Sequence, residues 1–182
     1  MTLAAALILA GCSAREVNDS LAGSTAQRLV TYSIDEMVTR LSGPRLDALK
    51  GRKLYLETHF LAESAIKAYA DERLRIALTE RFGASLVDAP EHADQSMSVF
   101  YTSLGTDQSQ DGFFLPLGYV PGVDQRLTID LITVKHFHGI AEMYYYIGET
   151  GIEFRSDKQR AVIRTDVLGL PIIELPISDL DN

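Results

Sequence analysis

The chain has 182 residues, 46% hydrophobic, 23% charged and 8% aromatic, which excludes a disordered or collagen-like polymer and is long enough to bury a core without crosslinks. Seventeen Lys and Arg against twenty-five Asp and Glu leave a formal net charge of −8, which repels phosphate backbones and disfavours nucleic acid as a partner. The single cysteine excludes an intramolecular disulfide and a Cys-rich zinc site.

Leu3 to Ala10 form the apolar run LAAALILA, which ends on Gly11, Cys12 and Ser13. As a helix this run spans about 12 Å, well short of the roughly 20 residues that cross a bilayer. Its size and the small residues at its end are those of the apolar region of a secretory signal. Leu9-Ala10-Gly11-Cys12 resembles the bacterial lipoprotein signal, in which the peptide is cut before the cysteine, the sulfur carries a diacylglycerol and the new amino group is acylated. Only Met1 and Thr2 precede the run, without the Lys or Arg that such signals carry. The resemblance implies a signal peptide over residues 1–11 and a lipid anchor, palmitate included, on Cys12. Several acyl chains hold stably, since each buried CH₂ contributes about 0.8 kcal/mol. Ser13 in place of an Asp retention signal implies the outer membrane, with the protein facing the periplasm.

Residues 12–24 are polar, lack apolar periodicity and are expected to form a flexible tether. From Thr25, the residues Ala26, Leu29, Val30, Ile34, Met37, Val38 and Leu41 recur at three- and four-residue spacing, which predicts a helix ended by Gly43-Pro44. Lys53 to Phe60 alternates with period two and predicts a strand. Ala62 to Phe82 predicts a second helix with Ile66, Tyr69, Ala70, Leu74, Ala77, Leu78 and Phe82 on one face and Gly83 as its C-terminal cap. Ser85-Leu86-Val87 is a short strand, and Gln95 to Leu104 is another with Met97, Val99 and Tyr101 on one side. Residues 105–124 hold four Gly and two Pro and are expected to be a long loop. Arg126 to Phe137 and Gly139 to Gly148 are expected to form a hairpin about His138-Gly139, and Gln159 to Val167 a further strand. The predicted class is α/β (an α+β sandwich): one domain over residues 25–182, a mixed sheet with two main helices packed on one face.

Four segments taken together carry a further resemblance: Ser24-Thr25-Ala26-Gln27, Gly51-Arg52-Lys53-Leu54-Tyr55, Leu86-Val87-Asp88-Ala89-Pro90 and Ser103-Leu104-Gly105-Thr106-Asp107. They resemble a family of functionally uncharacterised bacterial lipoproteins, a domain of unknown function. More distantly, the strand-helix-strand-strand core is similar to the periplasmic domains of the curli secretion channel lipoprotein and to the TolB amino-terminal domain. The resemblance covers roughly residues 24–124 and implies a fold, not a reaction.

Chemistry is sparse. His136 and His138, two apart on a strand, face one side and could share an ion, with His59, His92 or Asp130 as a third ligand; this is the alternative of a small periplasmic metal-binding protein or hydrolase. No nucleophile elbow and no phosphate-cradling glycine loop is present. Asp35-Glu36 and Asp71-Glu72 are expected to be solvated helix faces, and Tyr144-Tyr145-Tyr146 to place rings on both sides of a strand. No catalytic residue, metal or cofactor is assigned. The apolar segment in the glycine-rich region supplies the expected contact residues, Phe113, Phe114, Leu115 and Tyr119, for a protein partner or self-association. The expected function is that of a noncatalytic interaction or assembly module held at the outer membrane.

Overall fold

A computed structural model describes residues 12–16, 23–116, 128–171 and 173–177. The mixed sheet and flanking helices of an α+β sandwich are present. In chain order the elements are β1 (Cys12–Glu16), α1 (Ser24–Thr39), α2 (Pro44–Asp47), β2 (Lys53–His59), α3 (Ala65–Glu80), β3 (Ser85–Val87), β4 (Gln95–Pro116), β5 (Thr128–Gly148), β6 (Phe154–Arg155), β7 (Gln159–Gly169) and β8 (Glu174–Pro176), with a 3₁₀ turn at Pro90–His92. The strand order is β3-β2-β4-β5-β7-β8, with β1 paired to β4 and β6 to β5. Strand β2 runs parallel to both β3 and β4, whereas β1 on β4, β6 on β5 and β8 on β7 are antiparallel. Among the described residues no helix is long and apolar enough to cross a membrane.

The single domain expected over 25–182 resolves into two compact units. Unit one comprises residues 1–23, 106–138 and 164–182; unit two comprises 24–105 and 139–163. Strands β4, β5 and β7 contribute residues to both.

Unit two holds the apolar core. The predicted face of α1 is buried without exception, from Ala26 through Leu41. It packs with Ala70, Leu74, Ala77 and Leu78 of α3 against Leu54 and Leu56 of β2, Met97, Val99 and Tyr101 of β4, and Ala141, Met143, Tyr145 and Ile147 of β5. Helix α3 starts three residues later than predicted because Ser64 Oγ accepts the Lys67 backbone N–H, the geometry of an N-cap. At its other end Arg81 donates to the carbonyls of Val38 and Leu41, which ties the end of α3 to the last turn of α1 and the residues after it. The alternation of β2 stops at Phe60, which is 74% exposed at φ 85°, a left-handed conformation rare for a bulky residue.

The hairpin expected at His138-Gly139 is absent: β5 runs unbroken from Thr128 to Gly148. The glycine serves a different need. A Cβ at Gly139 would stand 2.1 Å from the Leu29 carbonyl oxygen, so this position is kept bare to admit the backbone of α1, not to turn the chain.

Unit one is built of strands. The region expected to be a loop from residue 105 is strand as far as Pro116, and residues 117–127 lie outside the described residues. Residues Cys12–Glu16, expected to be irregular tether, form β1 with the register Cys12↔Phe113 to Glu16↔Ser109. Pro116 does not spoil β4 because it is the strand's last residue. Gly112 and Gly169 both sit against Thr133: a Cβ on the first would lie 2.7 Å from Thr133 Cα, and one on the second 2.5 Å from Thr133 Oγ1. At the β8 edge, Ile177 N donates to Asp166 O and Leu170 N to Ile173 O, so Glu174 and Pro176 face outward. Pro176 has no N–H to offer another strand, which blunts this edge as a pairing template.

Candidate functional site

Of the contact residues expected from sequence, Phe113 is half exposed on β4, directly across from Cys12 in the β1–β4 register. Phe114 and Leu115 follow it in β4, and Tyr119 lies outside the described residues, as does the signal peptide 1–11. Large apolar side chains stand exposed elsewhere in unit one as well, at Leu131, Ile132, Ile173, Leu175 and Ile177. Sequence reading missed these five. Their strands alternate too weakly to show which face would be left open.

The other candidate, His136, gathers partners from two neighbouring strands of unit one. Its Nδ1 lies 2.8 Å from Asp166 Oδ1 and 2.7 Å from Arg164 Nη2, while its Nε2 lies 3.2 Å from Asp111 Oδ2. Arg164 Nε closes the group by donating to Asp166 Oδ1 at 2.7 Å. Metal chelation needs donors that converge on one point. Here the two ring nitrogens address different carboxylates, and a guanidinium crowds Nδ1. Among the described residues no group of three or more His, Cys, Asp or Glu is assembled to hold an ion.

The expected third ligands lie elsewhere: His59 is stacked on Phe100, His92 sits exposed in the 3₁₀ turn, and the Asp130 side chain is outside the described residues. The partners of the His136 ring are two carboxylates and a guanidinium, none a hydroxyl or thiol that the ring could activate for hydrolysis. Burial, followed by the nearby Arg164 and His136, lowers the pKa of His138, so its neutral form is favoured.

Two carboxylates carry an acid signature. Burial works against ionisation of Asp166, yet hydrogen bonds from Arg164 and His136 outweigh it and hold the carboxyl below its ordinary 3.8. In unit two, hydrogen bonds from Thr102 and Lys158 hold Glu142 below 4.5. A depressed carboxyl contributes stability above its unfolded pKa and loses it as pH falls through the folded one. The melting temperature is therefore expected to drop on acidification below about pH 4, and to drop less in Asp166→Asn and Glu142→Gln. Thermal melts between neutral and strongly acidic pH check this, and equal acid losses in wild type and variants would contradict it.

The tyrosine run separates as alternation demands. Tyr145 is buried in the core, and Tyr144 and Tyr146 lie on the opposite face of unit two's sheet. There His59, Phe100 and Tyr144 stack across adjacent strands with centroids 4.8 and 5.2 Å apart, Tyr146 meets both Phe100 and Tyr144 edge-on, and Arg155 caps Tyr144 at 4.7 Å. The π faces are spent on one another and on the guanidinium, so this stack braces three strands and offers no free platform to a flat ligand.

The carboxylate pairs on the helices also differ from expectation. Asp35 accepts from Tyr69 Oη and Arg73 Nε, tying α1 to α3. Asp71 pairs at 2.9 Å with Lys67, a lysine only 4% exposed, where the helical pattern had placed Ile66. Lys67 Nζ has three N–H groups and three acceptors at 2.9 Å: Thr58 Oγ1, Asp71 Oδ2 and Glu63 Oε1. Burial lowers its pKa, but the bonds from Asp71 and Glu63 outweigh this and raise it, so the amine stays charged. Burial, and secondarily Asp71, push the Tyr101 phenol far above its ordinary range. Nothing local in the sequence marks a buried lysine. Only its acceptors do, and these come from β2, α3 and the segment between them.

Comparison of the chain with models of known protein families gives no match, and no curated protein matches it.

Proposed function

We propose that this protein is an outer-membrane lipoprotein, anchored through Cys12, that acts in the periplasm as a noncatalytic interaction or assembly module with unit one as its contact surface. The observation that carries this reading is the placement of exposed apolar side chains. Among the described residues, Phe113, Leu131, Ile132, Ile173, Leu175 and Ile177 of unit one stand exposed, against Tyr32, Phe60, Ile66, Ile152 and Val162 in the larger unit two. Unit one is the smaller of the two, and exposed apolar residues at this density suit a surface that is covered by something else in use. The absence of a converging donor set or an activated nucleophile at His136 supports a binding role over a hydrolytic one.

The position of Cys12 supports the anchoring half. In the β1–β4 register it lies across from Phe113, so acyl chains on its sulfur would begin beside the exposed end of unit one. The net charge of −8 weighs against unit one adhering to anionic lipid and favours a protein partner.

The test joins two variants. Phe113→Ser with Ile132→Ser is expected to abolish a crosslinked partner in intact cells while shifting the melting temperature by no more than about 2 °C, the behaviour of surface positions. A large fall in melting temperature, or undiminished crosslinking, overturns the contact surface. Cys12→Ser is expected to move the protein from the membrane to the soluble fraction; retention in the membrane overturns the anchor.

A further inference from the structure

We infer that Arg164 and Asp166 are rivals for a single ring nitrogen of His136, and that uptake of a proton by this histidine displaces the Arg164 Nη2 group from the ring while Nε stays on Asp166, making the polar face of unit one an acid-responsive surface. The inference is independent of the anchoring reading, because it rests on four side chains of unit one alone.

An imidazole nitrogen presents either a lone pair or an N–H, never both. At His136 Nδ1 a guanidinium nitrogen stands 2.7 Å away and a carboxylate oxygen 2.8 Å away. The guanidinium can only donate and the ionised carboxylate can only accept. Both contacts therefore cannot be hydrogen bonds at once.

With the ring neutral and its proton on Nε2, Nδ1 accepts from Arg164 and Nε2 donates to Asp111. Arg164 then spans the ring and Asp166 with two N–H groups. The one unfavourable contact is Nδ1 facing Asp166 Oδ1, two acceptors that the guanidinium bridges. With the ring protonated, Nδ1–H donates to Asp166 and Nε2–H to Asp111, so both carboxylates meet a cation. The guanidinium, which keeps its charge at every relevant pH, now faces an N–H of a second cation. Its side chain is half exposed, so water is open to it.

The charged surroundings set the balance. Asp111 on β4 and Asp166 on β7 are the anions against the ring, and Arg164 on β7 is the cation against it. His138 on β5 does not add a competing charge, since burial first and Arg164 next favour its neutral form. Histidine is the side chain whose ordinary titration falls in the mildly acidic range, so the exchange lies within reach of natural acidification. Its product is an Nη2 group turned to solvent on a guanidinium still held by Asp166, a donor open to a carboxylate of a partner.

Nitrogen-15 NMR of the full chain, with histidine and arginine labelled, tests this between about pH 8 and pH 5, the window of histidine switching. The expected result at the upper end is a His136 Nδ1 without a proton and an ordered, slowly exchanging Arg164 Nη2 group. At the lower end both ring nitrogens carry protons and the Arg164 signal becomes mobile and exchanges fast. In Arg164→Leu, where Nδ1 has no donor to accept from, that nitrogen is expected to carry its proton toward Asp166 across the whole range. A protonated Nδ1 at the upper end, or an Arg164 equally ordered beside a doubly protonated ring, overturns the proposal. The wild-type arginine signal decides the matter even if a variant fails to fold.

Discussion

Replacing Lys67 with Ala is expected to cost unit two about 3–5 kcal/mol, the range for removing one partner of a buried ion pair. The lysine is 4% exposed and its amine is shared among Thr58, Asp71 and Glu63. Glu63 is well exposed and returns to water at little cost, whereas Asp71 has 21% of its side chain exposed and would keep a charge without a counterion. The Tyr101 phenol beside it is held protonated, and a neutral hydroxyl supplies no counterion.

The loss should therefore come mainly from Asp71, and that is separable. The pair Lys67→Met with Asp71→Leu is expected to recover most of the stability, because apolar groups of similar volume often replace a buried ion pair without penalty. Denaturant unfolding followed by far-ultraviolet circular dichroism measures both. A loss under about 1 kcal/mol in the single variant would mean that the lysine is hydrated in the native state, like a surface ion pair.

Gly139→Val is expected to be nearly as damaging, at about 3 kcal/mol, although valine is among the best residues for a strand. A Cβ at this position would lie 2.1 Å from the Leu29 carbonyl oxygen and 2.3 Å from its carbon. These are helix backbone atoms, which cannot step aside as a flexible side chain would, so α1 must lift from the sheet or β5 must bend. Since Leu29, Val30 and Ile34 of α1 are buried, lifting the helix exposes core. Gly105→Ala is the control. It adds a Cβ in the same unit, without the two further methyls of valine, where nothing lies within 4 Å, and is expected to be neutral or slightly stabilising. Equal effects at the two glycines would show that backbone entropy, not the approach of α1, determines the outcome at Gly139.

How far the sequence was legible follows from the range of the forces involved. The two helices were plain because a stripe at three- and four-residue spacing is local information, and all seven residues assigned to the α1 face are buried. Met97, Val99 and Tyr101 were plain for the same reason on a period of two. Ile66 and Lys67 were exchanged because the acceptors for the amine, Thr58 on β2, Glu63 ahead of the helix and Asp71 one turn on, decide which one turns inward. Gly139 looked like a turn because a glycine required by a helix pressing on a strand and a glycine required by a hairpin are the same letter. The extension of β4 to Pro116 was hidden by its polar and glycine residues, which weaken intrinsic strand preference but are held by pairing with β1 and β5.

The candidate site divides in the same way. His136 and His138 stood out by spacing, yet the spacing implied a metal, and what His136 meets is a guanidinium and two carboxylates contributed from β7 and β4. By itself the sequence determined the class of fold, the helical and central-strand core of unit two, and the acidic balance of the chain, because burial periodicity and charge are written residue by residue. Only the tertiary structure decided the division into two units, the burial of Lys67, the partners of His136 and the exposed apolar side chains of unit one. Each of these depends on which distant strands come to lie side by side, and pairing between remote segments leaves no periodic trace in the residues that take part.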